Sequence, residues 1–299
     1  EISLGLVGSE MCIRDRNMPI KESGGVRFVI CRVFQYALLL AIVLLSVIPI
    51  LWVILSSFKT NQEILSNPLA LPARWSFDGY VAAFRIAPLT TFYANSILVS
   101  LFSTVFNVLF ISMSAYVVAR FEFALKKFVF MLFSFSLLVP MTALMLPVYM
   151  LVQSALMLDT KIGLVFVYIS LGFPTTFFIM RSYFLSFSKS IEEAAYIDGS
   201  GFLNTFFKIV LPIAKPGMAT AAILQFLMAW NEFFYALVLT SSVKARTLPL
   251  AINYFSSQFS RNYTAMFAAI TVIVLPSILI YLLLQRQVVD SLAAGAVKG

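Results

Sequence analysis

Histidine is absent from this 299-residue sequence, cysteine occurs only as Cys12 and Cys31, and charged residues make up only 11% of the chain. With no imidazole and so few thiols, neither a Cys/His metal site nor a disulfide framework can be assembled. Soluble domains usually carry about a quarter charged residues, whereas this chain is 61% hydrophobic with a mean hydropathy of +0.95. The composition indicates an integral membrane protein.

Signatures of catalysis and nucleotide binding are missing as well. No stretch matches the phosphate-binding pattern GxxxxGK[ST] and none forms a nucleophile elbow, so we expect neither ATP hydrolysis nor another enzymatic activity in this chain. No cofactor or metal is expected in it either. The net charge of +8 does not indicate nucleic acid as a partner, because the basic residues are scattered between apolar runs, as in cytoplasmic loops of membrane proteins.

The first residues differ from the rest of the chain. Residues 1–17 have neither the basic start nor the unbroken apolar core of a signal peptide. They resemble translated sequencing-adapter read-through, and we expect them to be a non-native leader that precedes a natural start at Met18. Residues 18–32 are then a cytoplasmic amino-terminal segment.

Long apolar windows fill most of residues 33–285. A transmembrane helix needs about 20 mainly apolar residues to cross a hydrocarbon core of about 30 Å. The chain is therefore predicted to be an all-α integral membrane protein with six transmembrane helices. Their windows are Val33–Phe58, Ile86–Ala119, Phe128–Leu158, Ile162–Met180, Pro216–Thr240 and Tyr263–Gln285.

The distribution of Lys and Arg between the loops predicts the orientation. With the amino terminus inside, the inner segments carry twelve of these residues and the outer segments carry seven. Since cytoplasmic loops are enriched in positive charge, both termini are expected in the cytoplasm, with residues 286–299 forming a cytoplasmic tail.

The longest predicted inner loop, residues 187–215, contains consistent helix signals. Ser190 followed by Glu193 forms the pattern of a capping box and predicts a helix start. Gly199 predicts the end of that helix, because glycine readily adopts the left-handed conformation. A second helix is predicted over Phe202–Val210, and Pro212 is expected to end it.

The composition of the first loop helix fits contact with another protein. The small side chains of Ala194 and Ala195 allow another backbone to approach closely, and Glu192, Glu193 and Asp198 supply charge for pairing. On this reasoning alone, a solvated loop packed on its own protein is an equally good interpretation.

A family resemblance decides between these interpretations. The pattern E-A-A, three residues, G, nine residues, I-x-L-P is met by Glu193, Ala194, Ala195, Gly199, Ile209, Leu211 and Pro212. It resembles the EAA loop of permease subunits in binding-protein-dependent ABC importers. The surroundings, including Trp230-Asn231-Glu232-Phe233 and Thr247-Leu248-Pro249, are similar to the carbohydrate-uptake branch, in particular the smaller permease of maltose-type systems. The similarity spans about Val26 to Gly299.

The resemblance implies a set of partners and a location. It implies a second permease subunit, two ATPase subunits that bind ATP and Mg, and an external solute-binding protein, assembled in the bacterial inner membrane. It also implies that the first loop helix docks on an ATPase subunit, with Ser190, Ile209, Leu211 and Pro212 shaping the loop. Ser188 departs from the family pattern, which usually has proline there.

Polar residues within the apolar windows are further candidates. Glu232 lies about 24 Å along the predicted fifth span at 1.5 Å per residue, and a charged side chain at membrane depth is a functional candidate by default. We expect Asn231 and Glu232 to border the outer part of the pathway or its gate. Asn95 and Asn107 could bind sugar or hydrogen-bond to neighbouring helices.

Two other functions stay open from the sequence. A permease of the same architecture could import a non-sugar solute such as a polyamine. An ion-coupled secondary transporter or channel would require intramembrane coupling charges or inverted repeats, and only Glu232 offers such a charge.

Overall fold

The computed structural model describes residues 26–255 and 262–296, which are mainly helical with no strand among them. The predicted leader (1–17), residues 18–25 and residues 297–299 of the tail lie outside the described residues. The helices, in chain order, are α1 (Val26–Ser56), α2 (Asn61–Ser66), α3 (Asp78–Ile86), α4 (Leu89–Arg120), α5 (Lys126–Ser136), α6 (Met145–Ser154), α7 (Lys161–Leu171), α8 (Phe173–Ser186), α9 (Ser190–Ile197), α10 (Phe202–Thr205), α11 (Leu211–Ile213), α12 (Lys215–Asn231), α13 (Phe234–Leu239) and α14 (Tyr263–Ala296). Short 3₁₀ helices lie at Met141–Leu144 and Leu248–Tyr254, and a π-helical turn lies at Phe206–Val210.

The described chain divides into two units. The first ends at Trp52 and consists of most of α1, and the second begins at Val53 and contains all later helices. The functional candidates lie in the second unit.

Six membrane spans follow from the lengths and bends of the helices. Three helices within the described residues are long and apolar enough to cross a membrane unbroken: Val29–Ser56, Leu89–Arg120 and Tyr263–Leu283. Three helix pairs reach the same length only together. The bend is 101° between α5 and α6, 49° between α7 and α8, and 79° between the Phe202–Ile213 stretch and α12. Counting each bent pair as one span confirms the six-span, all-α prediction.

The fifth span differs from its prediction. The helix predicted over Pro216–Thr240 ends instead at Asn231, and α13 begins at Phe234 after a short break. Glu232 is extended at the break, with φ −66° and ψ 125°. Its carboxylate accepts hydrogen bonds from the N–H groups of Tyr235 and Ala236. A side chain that captures the first N–H groups of a new helix stabilises a helix start, not a helix interior.

The long helix α4 lies at the centre of the second unit, where it packs against α7, α8 and α12. One hydrophobic cluster surrounds its carboxy-terminal half and joins it to α8 and to the loop after α9. Tyr116, Phe184 and Phe206 are fully buried there and meet with ring centroids 5.1 to 6.4 Å apart. Burying such large side chains contributes about 1.5–3 kcal/mol each, so this cluster fixes the base of the loop.

Asn95 and Asn107 hydrogen-bond to neighbouring segments. The Asn95 amide donates to the carbonyl of Arg246 at 2.9 Å, and the Asn107 amide donates to the carbonyl of Ile169 at 2.8 Å. Both asparagines are buried. These amides therefore hold the fold together, which is the second of the two roles that the sequence left open.

Asp159 forms hydrogen bonds with the loop that follows α13, and we call this arrangement the Asp159 latch. Asp159 follows α6 with a left-handed backbone, φ 57°, and one carboxylate oxygen accepts hydrogen bonds from the N–H groups of Ser241 and Ser242, each at 2.8 Å. The Asp159 N–H donates in return to the carbonyl of Leu239 at 2.8 Å. The hydrogen bond from the backbone of Ser242, with that from Ser241, lowers the pKa of Asp159.

Replacing Asp159 tests this latch. Asp159→Ala removes the oxygen that accepts both hydrogen bonds, and alanine tolerates the left-handed backbone less well than aspartate, so we expect faster protease cleavage in the 240–247 loop. Asp159→Asn is the matched control, because asparagine tolerates the left-handed backbone and keeps an acceptor oxygen. Equal cleavage of the alanine variant and the wild type would contradict the latch.

The lowered pKa gives a pH dependence with a definite sign. The carboxylate form is favoured in the folded chain, so its contribution is complete above the ordinary Asp pKa and is lost as the pH falls through the lower folded pKa. We expect the protease resistance of this loop to be flat near neutrality and to fall only in acid, with no such fall in Asp159→Asn.

Candidate functional site: the coupling loop

The candidate site is the coupling loop, residues 187–215, which follows α8 and leads into α12. Its first helix, α9, has eight residues. Isolated helices shorter than about 12–15 residues are marginal in water. The orientation of α9 must therefore come from its contacts with the rest of the chain.

The inward side of α9 is held by a buried ion pair. The Nε atom of Arg120, at the end of α4, lies 2.7 Å from Oε1 of Glu192, and the two side chains are 4% and 7% exposed. The hydroxyl of Tyr116 donates to the other carboxylate oxygen at 2.9 Å. Removing one partner of a buried ion pair costs about 3–5 kcal/mol, so this contact dominates the attachment of α9.

The Arg120 guanidinium also holds the chain just before α9. Its terminal nitrogen donates to the carbonyl of Phe187 at 2.9 Å, and its central carbon lies 4.7 Å from the centroid of the Phe187 ring. One arginine therefore ties the end of α4 to both the entry and the body of α9. The sequence carried no signal for this pairing, because Arg120 and Glu192 lie in distant parts of the chain.

This arrangement corrects the roles predicted for Glu192 and Ala195. Glu192 was expected to present charge to a partner and Ala195 to allow close approach of one, but both are buried against their own chain, each 6% exposed. An α-helix has 3.6 residues per turn, so residues 192 and 195, three apart, lie on the same side of α9. This side faces α4.

The outward side of α9 is open to contact. Glu193, Ala194 and Asp198 are exposed, and their role in contact with a partner stays a prediction. Ile197 belongs to the same face and is 85% exposed. The face therefore combines a small residue, two carboxylates and one aliphatic side chain.

The end of α9 is built as predicted from Gly199. This glycine adopts φ 80° with open space around its Cα atom. Its N–H donates to the carbonyl of Tyr196 at 3.0 Å, and the N–H of Ser200 donates to that of Ala195 at 2.9 Å. This pair of hydrogen bonds is a Schellman motif, which satisfies the last carbonyls of the helix.

The start of α9 differs from the predicted capping box. No side chain caps the first turn, and the N–H groups of Glu192 and Glu193 donate to the carbonyl of Lys189. The Ser190 N–H instead donates to the hydroxyl oxygen of Ser188 at 3.2 Å. Ser190 therefore lies inside the helix, and Ser188, which occupies the position where the family usually has proline, shapes the entry.

The second loop helix also departs from its prediction. It was expected to end at Pro212, but the chain stays helical to Ile213. A π-helical turn precedes the proline, in which the N–H of Leu211 donates to the carbonyl of Phe206, five residues back. Pro212 then occupies the first turn of α11, where its missing N–H is not needed.

The remaining loop residues pack on the bundle. Leu211 lies against the hydrophobic cluster at the base of the loop, and Ile209 is half-buried. The loop is therefore a packed helical hairpin, which supports its predicted shape.

Asn231 and Glu232 lie at the other end of α12. Asn231 is exposed and its side-chain oxygen accepts a hydrogen bond from the Ser277 hydroxyl of α14 at 3.1 Å. Glu232 is half-buried and accepts a hydrogen bond from the Tyr168 hydroxyl at 2.8 Å. Helix α12 thus joins the coupling loop directly to this polar pair.

No cluster of three or more Cys, Asp or Glu side chains that could hold a metal ion occurs among residues 26–255 and 262–296.

The two neighbouring glutamates of α9 provide a matched test of its anchoring. Glu192→Ala leaves Arg120 buried without its ion pair, so we expect a loss of about 3–5 kcal/mol in the free energy of unfolding. Glu193→Ala removes an exposed carboxylate and should change it by no more than about 0.5 kcal/mol. Thermal unfolding of the purified chain in detergent, followed by tryptophan fluorescence, measures both, and equal melting temperatures would contradict the buried anchor.

Comparison with known proteins agrees with this architecture. The family described as "Binding-protein-dependent transport system inner membrane component" matches residues 107–293. In solved structures, the chain resembles one chain of a bacterial ABC transporter involved in the import of the acidic polysaccharide alginate. The TM-score is 0.79 at 23% identity, covering 88% of this chain and 98% of that chain. This likeness concerns the fold.

Relatives of similar length share more of the sequence. The chain is 36% identical to the diacetylchitobiose uptake system permease protein NgcG of Streptomyces coelicolor, over 88% of each chain. It is 34% identical to the trehalose transport system permease protein SugB of Mycobacterium tuberculosis, over 85% of this chain and 93% of SugB. It is 31% identical to the sulfoquinovosyl glycerol transport system permease protein SmoH of Agrobacterium fabrum, over 84% and 88%. Because the family match covers more than half of the chain and includes its coupling loop, the chain belongs to the inner membrane components of binding-protein-dependent transport systems.

Proposed function

We propose that this chain is a permease subunit of an ATP-driven importer, that it forms part of the pathway for a sugar or oligosaccharide, and that α9 receives the mechanical work. The single observation that carries the proposal is the outward face of α9 in a chain of this family. Glu193, Ala194 and Asp198 face away from the protein, while the opposite side is fixed to α4 through Arg120.

The proposal includes the other subunits of the importer. Two ATPase subunits bind ATP and Mg, and one of them receives α9. A second permease subunit completes the pathway, and an external solute-binding protein delivers the solute. The chain lies in the bacterial inner membrane with both termini in the cytoplasm, as the distribution of Lys and Arg suggests.

The route of the mechanical work follows from connectivity. When the ATPase pair closes, it moves α9, and the packed loop transmits this movement to α12 through the turn at Ala214. Helix α12 ends at Asn231, beside Glu232. Displacement of α12 would alternate the access of the pathway at that end.

The carbohydrate assignment is supported by the relatives. They are named for the uptake of diacetylchitobiose, trehalose and sulfoquinovosyl glycerol, each of which is a sugar or contains one. A polyamine or another non-sugar solute has no comparable support. An ion-coupled secondary transporter or channel is disfavoured, because the family depends on a binding protein.

Reconstitution of the complete importer tests the solute and the energy source. The chain would be placed in liposomes with its second permease, its ATPase and its binding protein, and uptake of labelled oligosaccharides and of a diamine would be compared with and without ATP. We expect ATP-dependent uptake of a carbohydrate only. Uptake by this chain alone, driven by an ion gradient, would contradict the proposal, and ATP-driven uptake of the diamine alone would overturn the carbohydrate assignment.

Enlarging a side chain on the outward face should disconnect the ATPase. Ala194→Arg overfills a close contact, a change that typically costs about 1–3 kcal/mol, so we expect uptake to fall about tenfold or more, the factor equivalent to about 1.4 kcal/mol. The amount of chain in the membrane should not change, since Ala194 is exposed. Copurification of the ATPase and uptake in vesicles are the measurements.

A matched control uses an exposed alanine away from α9. Ala155, after α6, is also exposed, and Ala155→Arg should preserve both copurification and uptake. Gly199→Asp gives a second perturbation, because aspartate at φ 80° strains the end of α9, and it should also weaken ATPase attachment. Normal uptake with the ATPase bound in Ala194→Arg would show that α9 is not the contact.

A further inference from the structure

The third span bends between α5 and α6 and the fourth bends between α7 and α8. The predicted fifth span is broken between the end of α12 at Asn231 and the start of α13 at Phe234. A break leaves backbone N–H and C=O groups without partners inside the helix. In a membrane such groups must be satisfied by protein, because no lipid can hydrogen-bond to them. The partners of these groups therefore show which parts of the bundle depend on one another.

The break between α7 and α8 is satisfied from two other helices. The amide of Asn107 in α4 donates to the carbonyl of Ile169 at 2.8 Å, and the amide of Gln225 in α12 donates to the carbonyl of Tyr168 at 2.9 Å. A β-carbon at Gly172 would overlap the side-chain amide of Gln225, so glycine lets this amide reach the bend. The fourth span is thus linked to the fifth at its bend.

The break between α12 and α13 is organised by Glu232. Its two carboxylate oxygens accept hydrogen bonds from the N–H groups of Tyr235 at 2.8 Å and Ala236 at 3.0 Å. The hydroxyl of Tyr168 supplies a third hydrogen bond at 2.8 Å. Tyr168 therefore contacts the fifth span twice. Its carbonyl accepts a hydrogen bond from Gln225 within α12, and its hydroxyl donates one to Glu232 at the break.

The break between α5 and α6 is joined to the same group of residues. Tyr235, which is buried, donates its hydroxyl to the carbonyl of Met141 at 2.7 Å. Met141 begins the 3₁₀ turn that connects the two halves of the third span. Hydrogen bonds therefore run from Gln225 through Tyr168, Glu232 and Tyr235 to Met141.

We infer that these hydrogen bonds make the three breaks a single hinge, in which Glu232 is the positioning residue that makes the third, fourth and fifth spans change conformation together. The inference rests on the proposed function, because the movement enters through α12. When α12 is displaced, the carboxylate of Glu232 moves with it. The Tyr168 hydroxyl then transfers the movement to α7, and the Tyr235 hydroxyl transfers it to the third span.

Within the described part of the chain, the contacts of the Glu232 carboxylate are three hydrogen bonds from neutral donors. Among the described residues, the recorded ion pairs are Arg120 with Glu192 and Lys126 with Glu122, and neither includes Glu232. Its three hydrogen bonds are therefore the contacts that fix the carboxylate. Losing one of them changes the link between spans without unbalancing another charge.

Tyr168→Phe is the sharpest test, because it deletes one oxygen from the link. The two backbone hydrogen bonds to Glu232 and the helices themselves remain. In the reconstituted importer, with ATPase and binding protein present, we expect the amount of solute imported per ATP hydrolysed to fall about tenfold, equivalent to about 1.4 kcal/mol of lost coupling. Copurification of the ATPase should stay at its wild-type value, and the small loss of thermal stability from one missing hydrogen bond should not account for the change in this ratio.

A double variant shows whether Tyr168 and Glu232 act through the same hydrogen-bonded link or affect coupling independently. Glu232→Gln replaces one acceptor oxygen with an NH₂ group, so the side chain loses either the hydrogen bond from the Tyr235 N–H or the acceptor shared by Tyr168 and Ala236. If both substitutions interrupt the same link, their effects should not add, since residues acting as a unit are non-additive. The amount of solute imported per ATP by the double variant Tyr168→Phe/Glu232→Gln should then equal that of the more impaired single variant. Tyr235→Phe should lower the same ratio, by loss of the link to the third span.

Tyr80→Phe is the matched control. The hydroxyl of Tyr80 lies 2.8 Å from that of Ser57, away from the three breaks, and its removal should leave import per ATP unchanged. The inference is overturned if Tyr168→Phe keeps the wild-type ratio, if the effects of Tyr168→Phe and Glu232→Gln add, or if uptake falls only in proportion to thermal stability. Failure of the proposed function is distinguishable, because the wild-type complex would then show no ATP-dependent uptake at all.

Discussion

The buried ion pair between Arg120 and Glu192 is the contact on which the coupling loop depends. Its 2.7 Å distance and the low exposure of both side chains place it in surroundings where charges interact strongly and where an unpaired partner is expensive. A helix of eight residues has little stability of its own. Because Arg120 also binds the carbonyl of Phe187, the end of α4 determines which side of α9 faces outward.

The same rule of satisfied polar groups organises the far end of the bundle. Where the fourth span breaks, buried side chains of neighbouring helices donate hydrogen bonds to its free carbonyls, and where the fifth span breaks, the half-buried side chain at the break itself accepts them. Asn107 and Gln225 act at the fourth span, and Glu232 acts at the fifth. Helix α12 has the coupling loop at one end and Glu232 at the other, so a single rigid element connects the two regions.

The sequence predicted the features that depend on local chemistry. Charge-free windows located α1, α4 and α14 because each is a continuous apolar helix. Gly199 was predicted as a helix end because only glycine adopts φ 80° without strain. The family pattern located the coupling loop, whose outward residues Glu193 and Ala194 are exposed.

The features that the sequence did not predict depend on tertiary contacts. Glu192 and Glu193 are adjacent glutamates, and only the packing of α9 on α4 decides which is buried. The pairing of Arg120 with Glu192 joins distant parts of the chain and leaves no local pattern. At Glu232, counting charges in a window cannot show that the carboxylate captures the next helix start and breaks the span. Likewise, the π turn that carries the helix past Pro212 has no signal in hydrophobic spacing.

Cysteine cross-linking tests most directly whether the outward face of α9 meets the ATPase. In a variant lacking Cys12 and Cys31, a cysteine would be placed at Ala194 or at Ala195, and the assembled importer would be treated with a short thiol-to-amine reagent. The account predicts that Ala194→Cys forms a covalent product with the ATPase, whereas Ala195→Cys, which faces α4, does not. Equal cross-linking from both positions, or none from Ala194→Cys in an assembled complex, would contradict it.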